Sequence, residues 1–240
     1  MRKLLERIIG KLKNDASYAL DSAYSARQLT GIVYHRFFQL IRGFILKRRI
    51  TTSGMAFCGK EVIVQHAYQI RAGKSFIIED GVHINALSEK GIVAGDNVTI
   101  GKYAVLSCTG VIASKGVGIR LGNNTAIGAQ SFLGGQGGIT IGNDVIMGPQ
   151  VKIFSENHQY DDPAILIRKQ GVTRKGVVID DNCWIGAGAT ILDGVSIARG
   201  CVIAAGSVVT KSIPENSFAA GVPATIIKSR ILSTPAYQSF

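Results

Sequence analysis

The chain has 240 residues and a formal net charge of +11 at pH 7. Residues 1–50 hold eleven Lys or Arg against three acidic residues, so they carry +8 of that charge and the other 190 residues carry +3. No apolar stretch approaches the roughly 18 residues that span a bilayer, and the N-terminus lacks the apolar core of a secretory signal. We therefore expect a cytoplasmic protein. The basic segment contains no recognised nucleic-acid-binding motif, so no nucleic-acid partner is expected.

Residues 1–50 are predicted to form a basic amphipathic helical region. Apolar residues follow helical spacing at Leu4, Leu5, Ile8, Ile9 and Leu12. A second segment, from about residue 28 to residue 49, lacks proline and mixes aromatic and aliphatic residues with arginines. Two compatible roles remain open for this segment. Its apolar side can cap the open end of a repeat domain, or the helix can rest on an anionic membrane surface as a peripheral contact.

The C-terminal part of the chain has a six-residue repeat. Neither a helix, with a period of 3.6, nor a half-buried strand, with a period of 2, produces an interval of six. Six apolar residues near the end follow this interval without a break: Ile179, Ile185, Ile191, Ile197, Ile203 and Val209. The same phase recurs upstream in three runs: Ala94, Ile100, Leu106 and Ile112; Leu121, Ile127 and Leu133; and Ile141, Met147 and Ile153. A strict hexad predicts a fold in which each hexad is one structural unit.

The repeat predicts an all-β fold, a parallel β-helix over residues 51–230, followed by a short tail over residues 231–240. Three hexads would form one triangular coil with the aliphatic residues inside, and successive coils would stack roughly 4.8 Å apart. The alternative is a β-sandwich, but the structure of a sandwich does not require a six-residue interval to persist through six hexads. The four cysteines show no C-x-x-C spacing, and we expect them to be small buried residues rather than disulfides or metal ligands: Cys58, Cys108, Cys183 and Cys201.

The longest interruption of the repeat begins after Ile153. The register resumes only at Ile179, 26 residues later, so a loop must protrude over residues 155–177. Loops that leave a rigid scaffold commonly carry function. His158 takes the sixth slot of the hexad that begins at Ile153, and Trp184, the single tryptophan, takes the sixth slot of the hexad that begins at Ile179. If eight residues of the intervening segment leave the coil, the two slots lie one coil apart on the same edge. If twenty residues leave it, the two slots lie on neighbouring corners. Either arrangement brings both side chains near each other on the outer wall.

Four segments carry a resemblance to a known family: Ile153-Phe154-Ser155-Glu156-Asn157-His158, Cys183-Trp184-Ile185-Gly186-Ala187-Gly188, Ala205-Gly206-Ser207-Val208-Val209-Thr210-Lys211 and Ala220-Gly221-Val222-Pro223-Ala224. With them, residues 90–230 resemble the hexapeptide-repeat acyltransferases, and most of all the bacterial O-acetyltransferases of galactosides, maltose and surface polysaccharides. The resemblance implies a left-handed coil, a homotrimer with active sites between subunits, and acetyl-coenzyme A as the acyl donor.

The resemblance also implies roles for individual residues. His158 matches the family's general base, and an imidazole suits proton removal near neutral pH. The family's positions beside the acceptor or the cofactor channel are occupied in this chain by Asn157, Trp184 and Gln130. Positions expected to contact the cofactor match Gly186, Ala187, Ala205, Thr210, Lys211, Thr225 and Lys228. Galactoside-type relatives have a serine where this chain has Ala187, so only the backbone N–H is left there to stabilise an oxyanion. Thr225 replaces a cation that some relatives use.

The function implied by the resemblance is the transfer of acetyl from acetyl-coenzyme A to a sugar hydroxyl of a bacterial surface glycan, either capsule or lipopolysaccharide, in a ternary complex. The basic N-terminal segment favours a lipid-linked acceptor at the inner face of the cell membrane. Two alternatives are a xenobiotic acetyltransferase that acts on a soluble drug and a non-catalytic β-helix scaffold. A zinc carbonic anhydrase on the same coil is disfavoured, because the histidines His66, His83 and His158 are too dispersed. No metal is expected.

Overall fold

The computed structural model describes residues 2–13 and 17–231. The tail expected over residues 231–240 lies outside this range apart from Ile231. Two helices come first, α1 (Arg2–Lys13) and α2 (Ala26–Leu46). From Thr51 onward the chain winds through short parallel strands that lie on three sheets in turn. The result is a parallel β-helix with three faces.

Each face of the coil is one sheet, and the chain passes through the first, second and third face in that order. The first face comprises Thr51–Thr52, Ile70–Ala72, Ile92–Ala94, Ile119–Leu121, Ile139–Ile141, Val177–Ile179 and Ser196–Ile197. The second face comprises Ala56–Cys58, Phe76–Ile78, Thr99–Ile100, Ala126–Ile127, Ile146–Met147, Trp184–Ile185, Val202–Ile203, Ser217–Gly221 and Ala224–Ser229. The third face comprises Ile63–Gln65, His83–Asn85, Val105–Ser107, Phe132–Gly134, Lys152–Phe154, Thr190–Ile191 and Val208–Val209. A single-turn 3-10 helix spans Ala67–Gln69.

The inward residues of the hexads form the core of the coil. All six residues of the run from Ile179 to Val209 are fully buried. Successive coils are in register, as Ile141 pairs with Leu121 on one side and with Ile179 on the other. The predicted β-helix is therefore confirmed, and the aliphatic position of each hexad in this run faces inward.

One predicted hexad position is wrong. Ile112 was expected to continue the run that begins at Ala94, but its side chain is 100% exposed. The third-face strand ends at Ser107, Cys108 still lies in the core, and the chain rejoins the first face at Ile119, so residues 109–118 form a short loop. Ile112 lies in the middle of that short loop, where an inward slot does not exist.

The corner between the first and second faces carries a ladder of amide and carboxylate side chains. Asn97, Asn124 and Asp144 adopt positive φ there, between 55° and 57°. Asn97 donates from Nδ2 to Asn124 Oδ1 at 3.0 Å, and Asn124 donates in turn to Asp144 Oδ1 at 2.9 Å. Asn and Asp tolerate the left-handed backbone that a sharp corner requires. The ladder joins consecutive coils at this corner. Here the aliphatic residues of the first and second faces keep their spacing of six residues.

Longer connections leave the coil at a different corner, between the third and first faces, which we call the insertion corner. The short loop (residues 109–118) protrudes there. One coil later the chain makes a tight glycine-rich corner at residues 135–138. One further coil later a longer segment, residues 155–176, leaves the third face after Phe154 and rejoins the first face at Val177. We call this segment the arm. Both large insertions are thus neighbours on one edge of the molecule.

Helix α2 packs on the first coils through one narrow side. A capping box starts the helix, since Ser25 Oγ accepts from the backbone N–H of Gln28 and the Gln28 side chain accepts from the backbone N–H of Ser25. The buried side consists of Leu29, Gln39, Gly43 and Leu46. A Cβ at Gly43 would overlap the carbonyl oxygen of Ala56, so glycine permits this close approach. Leu46 also joins the hydrophobic core of the coil.

Outside these buried residues, α2 is largely apolar and exposed. The exposed apolar residues are Ile32, Val33, Tyr34, Phe37, Phe38, Ile41, Phe44 and Ile45. The guanidinium of Arg48 lies 5.6 Å from the centroid of the Phe44 ring, at the end of the helix where Lys47 and Arg49 also lie. We call this surface the exposed α2 face. Among the described helices, none is long and apolar enough to cross a membrane.

Candidate active site

The arm is anchored to the coil where it departs. Ser155 is fully buried. Its hydroxyl donates to the carbonyl of Gly134 at 2.6 Å and accepts from the backbone N–H of Gly137 at 2.8 Å. Both partners belong to the preceding coil. Ser155 therefore fixes the point at which the chain turns outward.

A carboxylate anchors the arm where it returns. Asp193 lies one coil further on and accepts hydrogen bonds from the backbone N–H groups of Lys175, at 2.9 Å, and Gly176, at 2.8 Å. The hydroxyl of Thr173 adds a third bond at 3.3 Å. Hydrogen bonds to a charged acceptor are stronger than those between neutral groups. Both ends of the arm are therefore held by side chains that recognise backbone.

His158 lies on a two-stranded ribbon at the base of the arm. The strand Asn157–His158 pairs antiparallel with Val172–Thr173, with Asn157 opposite Thr173 and His158 opposite Val172. Both Asn157 and His158 are exposed. The imidazole makes no hydrogen bond to any described residue, so it is open to a substrate.

The structure selects one of the two positions considered for His158 relative to Trp184. Ile153 lies on the third face and Ile179 on the first face. This is the arrangement expected when about twenty residues are extruded, and it assigns the two side chains to neighbouring corners. Trp184 continues onto the second face, where its side chain is 56% exposed. Within the described part of the chain, no ring contact or hydrogen bond joins it to His158.

The far end of the arm is apolar. A short helix, α3 (Ile167–Gln170), is held to the preceding turn because Gln170 Nε2 donates to the carbonyls of Asp162, at 2.8 Å, and Ile165, at 2.7 Å. Tyr160, Ile165 and Leu166 are exposed. They border an open cleft of about 550 Å³. The arm is thus an organised projection with an apolar tip.

Small residues line the corner between the second and third faces. A Cβ at Gly186 would overlap the backbone nitrogen of Ala205 in the next coil, so this position requires glycine. Ala187 and Ala205 are exposed at the corner. Their backbone N–H groups have no hydrogen-bond partner among the described residues. Two donors are therefore free on neighbouring coils, at a place where small side chains leave the backbone accessible.

Gln130 lies at the same corner, two coils before Ala187. It adopts a φ of 57° and accepts a hydrogen bond from Gln150 Nε2 at 3.1 Å. The structure therefore brings Gln130, Ala187 and Ala205 to one edge of the coil. Neither Gln130 nor Gln150 is buried, so both amides are accessible from outside.

The remaining predicted cofactor positions come later in the chain. Thr210 and Lys211 follow the last strand of the third face and are exposed at the insertion corner. Thr225 and Lys228 lie on the antiparallel strand that extends the second face, and Lys228 Nζ lies 5.6 Å from the centroid of the Phe218 ring. Thr225 is opposite Ala220, and Ala219 pairs with Ile203, so Thr225 lies near the corner that carries Ala205, whereas Thr210 and Lys211 lie at the insertion corner.

Sequence reasoning missed the residues that hold the arm in place. Ser155 and Asp193 bond to backbone groups of other coils, and no pattern in the sequence marks such contacts. Arg174 forms an ion pair with Glu156, with 2.6 Å between Nε and Oε2. The one available signal was a pair of opposite charges at the two ends of the predicted loop. No group of three or more His, Cys, Asp or Glu side chains that could hold a metal ion occurs among the residues described.

Comparisons with known proteins agree with the repeat. The family model described as bacterial transferase hexapeptide (six repeats) matches residues 176–211. The probable acetyltransferase Rv3034c of Mycobacterium tuberculosis is 29% identical over 201 residues, which cover 84% of this chain and 59% of that protein. The "putative lipopolysaccharide biosynthesis O-acetyl transferase WbbJ" of Escherichia coli is 40% identical over 97 residues, which cover 38% of this chain and 50% of that protein. The chain thus spans between half and three fifths of the length of these relatives.

A solved structure gives the same fold. A variant of AntD, an N-acyltransferase from Bacillus cereus determined with dTDP and coenzyme A, aligns with a TM-score of 0.52 and 20% sequence identity. The alignment covers 88% of this chain and 92% of that one. At this identity the likeness concerns the fold alone. The fold class is a left-handed parallel β-helix of hexapeptide repeats with short N-terminal helices.

Proposed function

We propose that this chain, which belongs with the hexapeptide-repeat acyltransferases by its repeat and its relatives, moves acetyl from acetyl-coenzyme A to a sugar hydroxyl of a bacterial surface glycan. One observation carries the proposal. His158 is an exposed, unbonded imidazole at the base of an arm that is anchored at both ends to a regular coil. The match to an O-acetyl transferase named for lipopolysaccharide biosynthesis supports a sugar hydroxyl of capsule or lipopolysaccharide as the acceptor.

The chemistry proposed for His158 is general-base catalysis in a ternary complex. The imidazole takes the proton of the acceptor hydroxyl as the oxygen attacks the thioester carbonyl. The tetrahedral intermediate then collapses, the carbon–sulfur bond breaks, and the imidazolium returns the proton to the coenzyme A thiolate. The free N–H of Ala187 is a suitable donor for the oxyanion. It stands where relatives of the galactoside type have a serine.

The separation of the predicted site residues supports a homotrimer with active sites between subunits. His158 does not contact Trp184 within one chain, and Ala187 and Ala205 lie at a different corner from the arm. A second copy would bring its arm to the corner that carries the free N–H groups. The coenzyme A arm would lie along that corner, and Lys211 and Lys228 would meet phosphates as point charges.

The N-terminal region supports a place for this reaction at the inner face of the cell membrane. The exposed α2 face combines aromatic and aliphatic side chains with the cations Lys47, Arg48 and Arg49. Apolar insertion together with attraction to anionic lipids holds such helices at a membrane surface. We propose that the protein is cytoplasmic and peripheral to the membrane, where a lipid-linked glycan would be within reach.

Thiol release from acetyl-coenzyme A tests the proposed activity. The panel of acceptors contains galactosides, oligosaccharides of capsule and lipopolysaccharide, and soluble drugs. We expect acceptor-dependent release with a sugar, and a fall in kcat of about 10² to 10⁴ in His158→Ala, the usual contribution of a general base. His83→Ala is the matched control, because His83 is also an exposed histidine, on the third face of the coil. If no acceptor in the panel supports thiol release, the proposal is overturned. It is also overturned if His158→Ala releases thiol as fast as the wild type.

A further inference from the structure

One arginine of the arm binds the short loop across the insertion corner. Arg174 pairs with Glu156 at 2.6 Å between Nε and Oε2. Its Nη1 donates to the carbonyl of Lys115 at 3.1 Å, and its Nη2 donates to the carbonyl of Ser114 at 3.5 Å. The side chains of Arg174 and Glu156 are only 20% and 24% exposed. All three guanidinium nitrogens of Arg174 are therefore engaged, one with the arm and two with the short loop.

The ion pair lies in register with the base. Asn157 is opposite Thr173 and His158 is opposite Val172, so the next pair in the antiparallel register is Glu156 and Arg174. Side chains alternate between the two faces of a strand. Glu156 and His158, two residues apart, therefore project from the same face of the ribbon. Opposite and diagonal neighbours on one face are close enough to affect each other's position.

The ribbon that carries His158 needs this support. Each of its strands has two residues. An isolated two-stranded hairpin is marginal in water. Within the described residues, the arm has no ion pair other than that of Glu156 and Arg174. Together with the bond from the Thr173 hydroxyl to Asp193, this pair and its two carbonyl contacts restrain the ribbon next to His158.

The carbonyl groups that Arg174 binds are themselves fixed. Thr109, a buried residue at the start of the short loop, accepts from the backbone N–H of Gly116 at 2.9 Å. The Thr109 hydroxyl also donates to the carbonyl of Leu87 in the preceding coil. Thr109 thereby closes the short loop directly beside Lys115. Arg174 is therefore bound to a part of the short loop that is itself held to the coil.

We propose that Arg174 is a positioning residue that sets the place of His158 relative to the coil by tying the arm to the short loop. The inference rests on the proposed function, in which His158 is the base. Ser155 and Asp193 hold the two ends of the arm without Arg174, so the arm stays attached when Arg174 is replaced. What Arg174 adds is the orientation of the ribbon.

Two substitutions separate the contacts of Arg174. Arg174→Lys can keep the ion pair with Glu156 but lacks the planar fork that reaches both carbonyls, and Arg174→Gln loses the ion pair as well. We expect kcat to fall about tenfold in the first and about 100-fold in the second, as small misplacements of a catalytic group do, with the KM for acetyl-coenzyme A within about twofold of wild type. Arg168→Gln, which removes an exposed arginine of the same arm, is the control and should leave kcat unchanged.

Hydrogen exchange gives a readout that does not depend on activity. In Arg174→Gln we expect faster exchange of the backbone N–H groups of the ribbon, at residues 157–158 and 172–173, and unchanged exchange in the coil. A wild-type kcat in Arg174→Gln would overturn the inference, as would a fall in kcat that accompanies a raised KM and a lowered melting temperature. If the wild-type protein releases no thiol, the proposed function fails. In that case, unchanged hydrogen exchange at the ribbon in Arg174→Gln would separately show that Arg174 does not hold the ribbon in place.

Discussion

The cysteines of the coil show how burial changes the chemistry of a side chain. Burial raises the pKa of Cys108 to about 12 and the pKa of Cys183 to about 11. Burial also raises the pKa of Cys201, which lies one coil after Cys183. The thiolate is the reactive form. At pH 8 these three residues are therefore almost entirely protonated and behave as small apolar side chains.

A thiol titration checks this account of the cysteines. With an aromatic disulfide reagent at pH 8, we expect Cys58, the half-buried cysteine, to react first and the other three to react only as the coil opens. The pKa of Cys58 is itself raised by burial, so its reaction should be slower than that of a free thiol. Cys58→Ser should abolish the first phase, and all four thiols should react in denaturant. Rapid modification of Cys108 or Cys183 in the folded protein would contradict this assignment.

Single residues also show what a repeat can predict. The period correctly assigned the residues from Ile179 to Val209 to the core, because each inward slot recurs after six positions. It failed at Ile112, which fits the phase but lies in the short loop. Periodicity states which slot a residue would occupy if the chain stayed on the coil. Whether the chain stays depends on corner contacts, such as those of Thr109, that have no period.

Helix α2 contains two glycines in contrasting environments. A Cβ at Gly43 would overlap the backbone of Ala56, whereas a Cβ at Gly31 would meet no atom within 4 Å. The first position sets how closely the helix approaches the coil. The second position is open, so glycine there only adds flexibility to the helix.

The matched pair Gly43→Ala and Gly31→Ala tests how α2 is attached. We expect Gly43→Ala to destabilise the docked helix by about 2 kcal/mol, because the added methyl group forces the backbones apart. Gly31→Ala should be neutral or stabilise the protein by up to about 1 kcal/mol. The measurements are the thermal midpoint and the rate of proteolysis near residues 47–50. Equal effects of the two substitutions would show that close packing at Gly43 does not hold the helix.

The arm illustrates how much of an element the sequence predicts. The break in register between Ile153 and Ile179 predicts a protruding segment that contains His158, and in the structure residues 155–176 leave the coil there. The ribbon and its restraints could not be foreseen, because Ser155, Asp193 and Arg174 bind backbone groups that are distant in the sequence. Hydrogen bonds of this kind depend on which coils become neighbours. That information appears only once the fold is known.

The N-terminal region and the coil differ in net charge and in exposed apolar surface. Residues 1–50 carry +8 of the net charge of +11, and the exposed α2 face lies in the same region. The coil, by contrast, carries little net charge. If the membrane proposal holds, the N-terminal end of the coil faces the lipid surface.

Sedimentation with lipid vesicles tests membrane contact. We expect binding to vesicles that contain anionic lipid and little binding to neutral ones, with a decrease as salt screens the charges. The double substitution Phe37→Glu and Phe44→Glu should abolish binding, since both side chains belong to the exposed α2 face. Ile63→Glu, at an exposed apolar residue of the coil, is the control. Binding that survives the double substitution, or an absence of binding by wild type, would contradict the proposed contact.

At the scale of the whole molecule, the sequence predicted the fold better than the site. Hexads and family motifs were sufficient for a coil, because each repeat packs only on its neighbours. The candidate site needs the arrangement of separate corners, and the structure leaves His158, Ala187 and Lys228 apart within one chain. Assembly of several chains depends on surface shape, which a repeat pattern does not encode.

The proposed role of His158 can be tested by isothermal titration of acetyl-coenzyme A into the wild-type protein and into His158→Ala, with thiol release followed in the same preparations. We expect both proteins to bind acetyl-coenzyme A with the same affinity and only the wild type to turn over. Such a result would separate the base from the binding site. Loss of binding in His158→Ala would contradict the role of His158 as a base. An absence of binding by the wild type would contradict the proposal that the protein is an acetyltransferase.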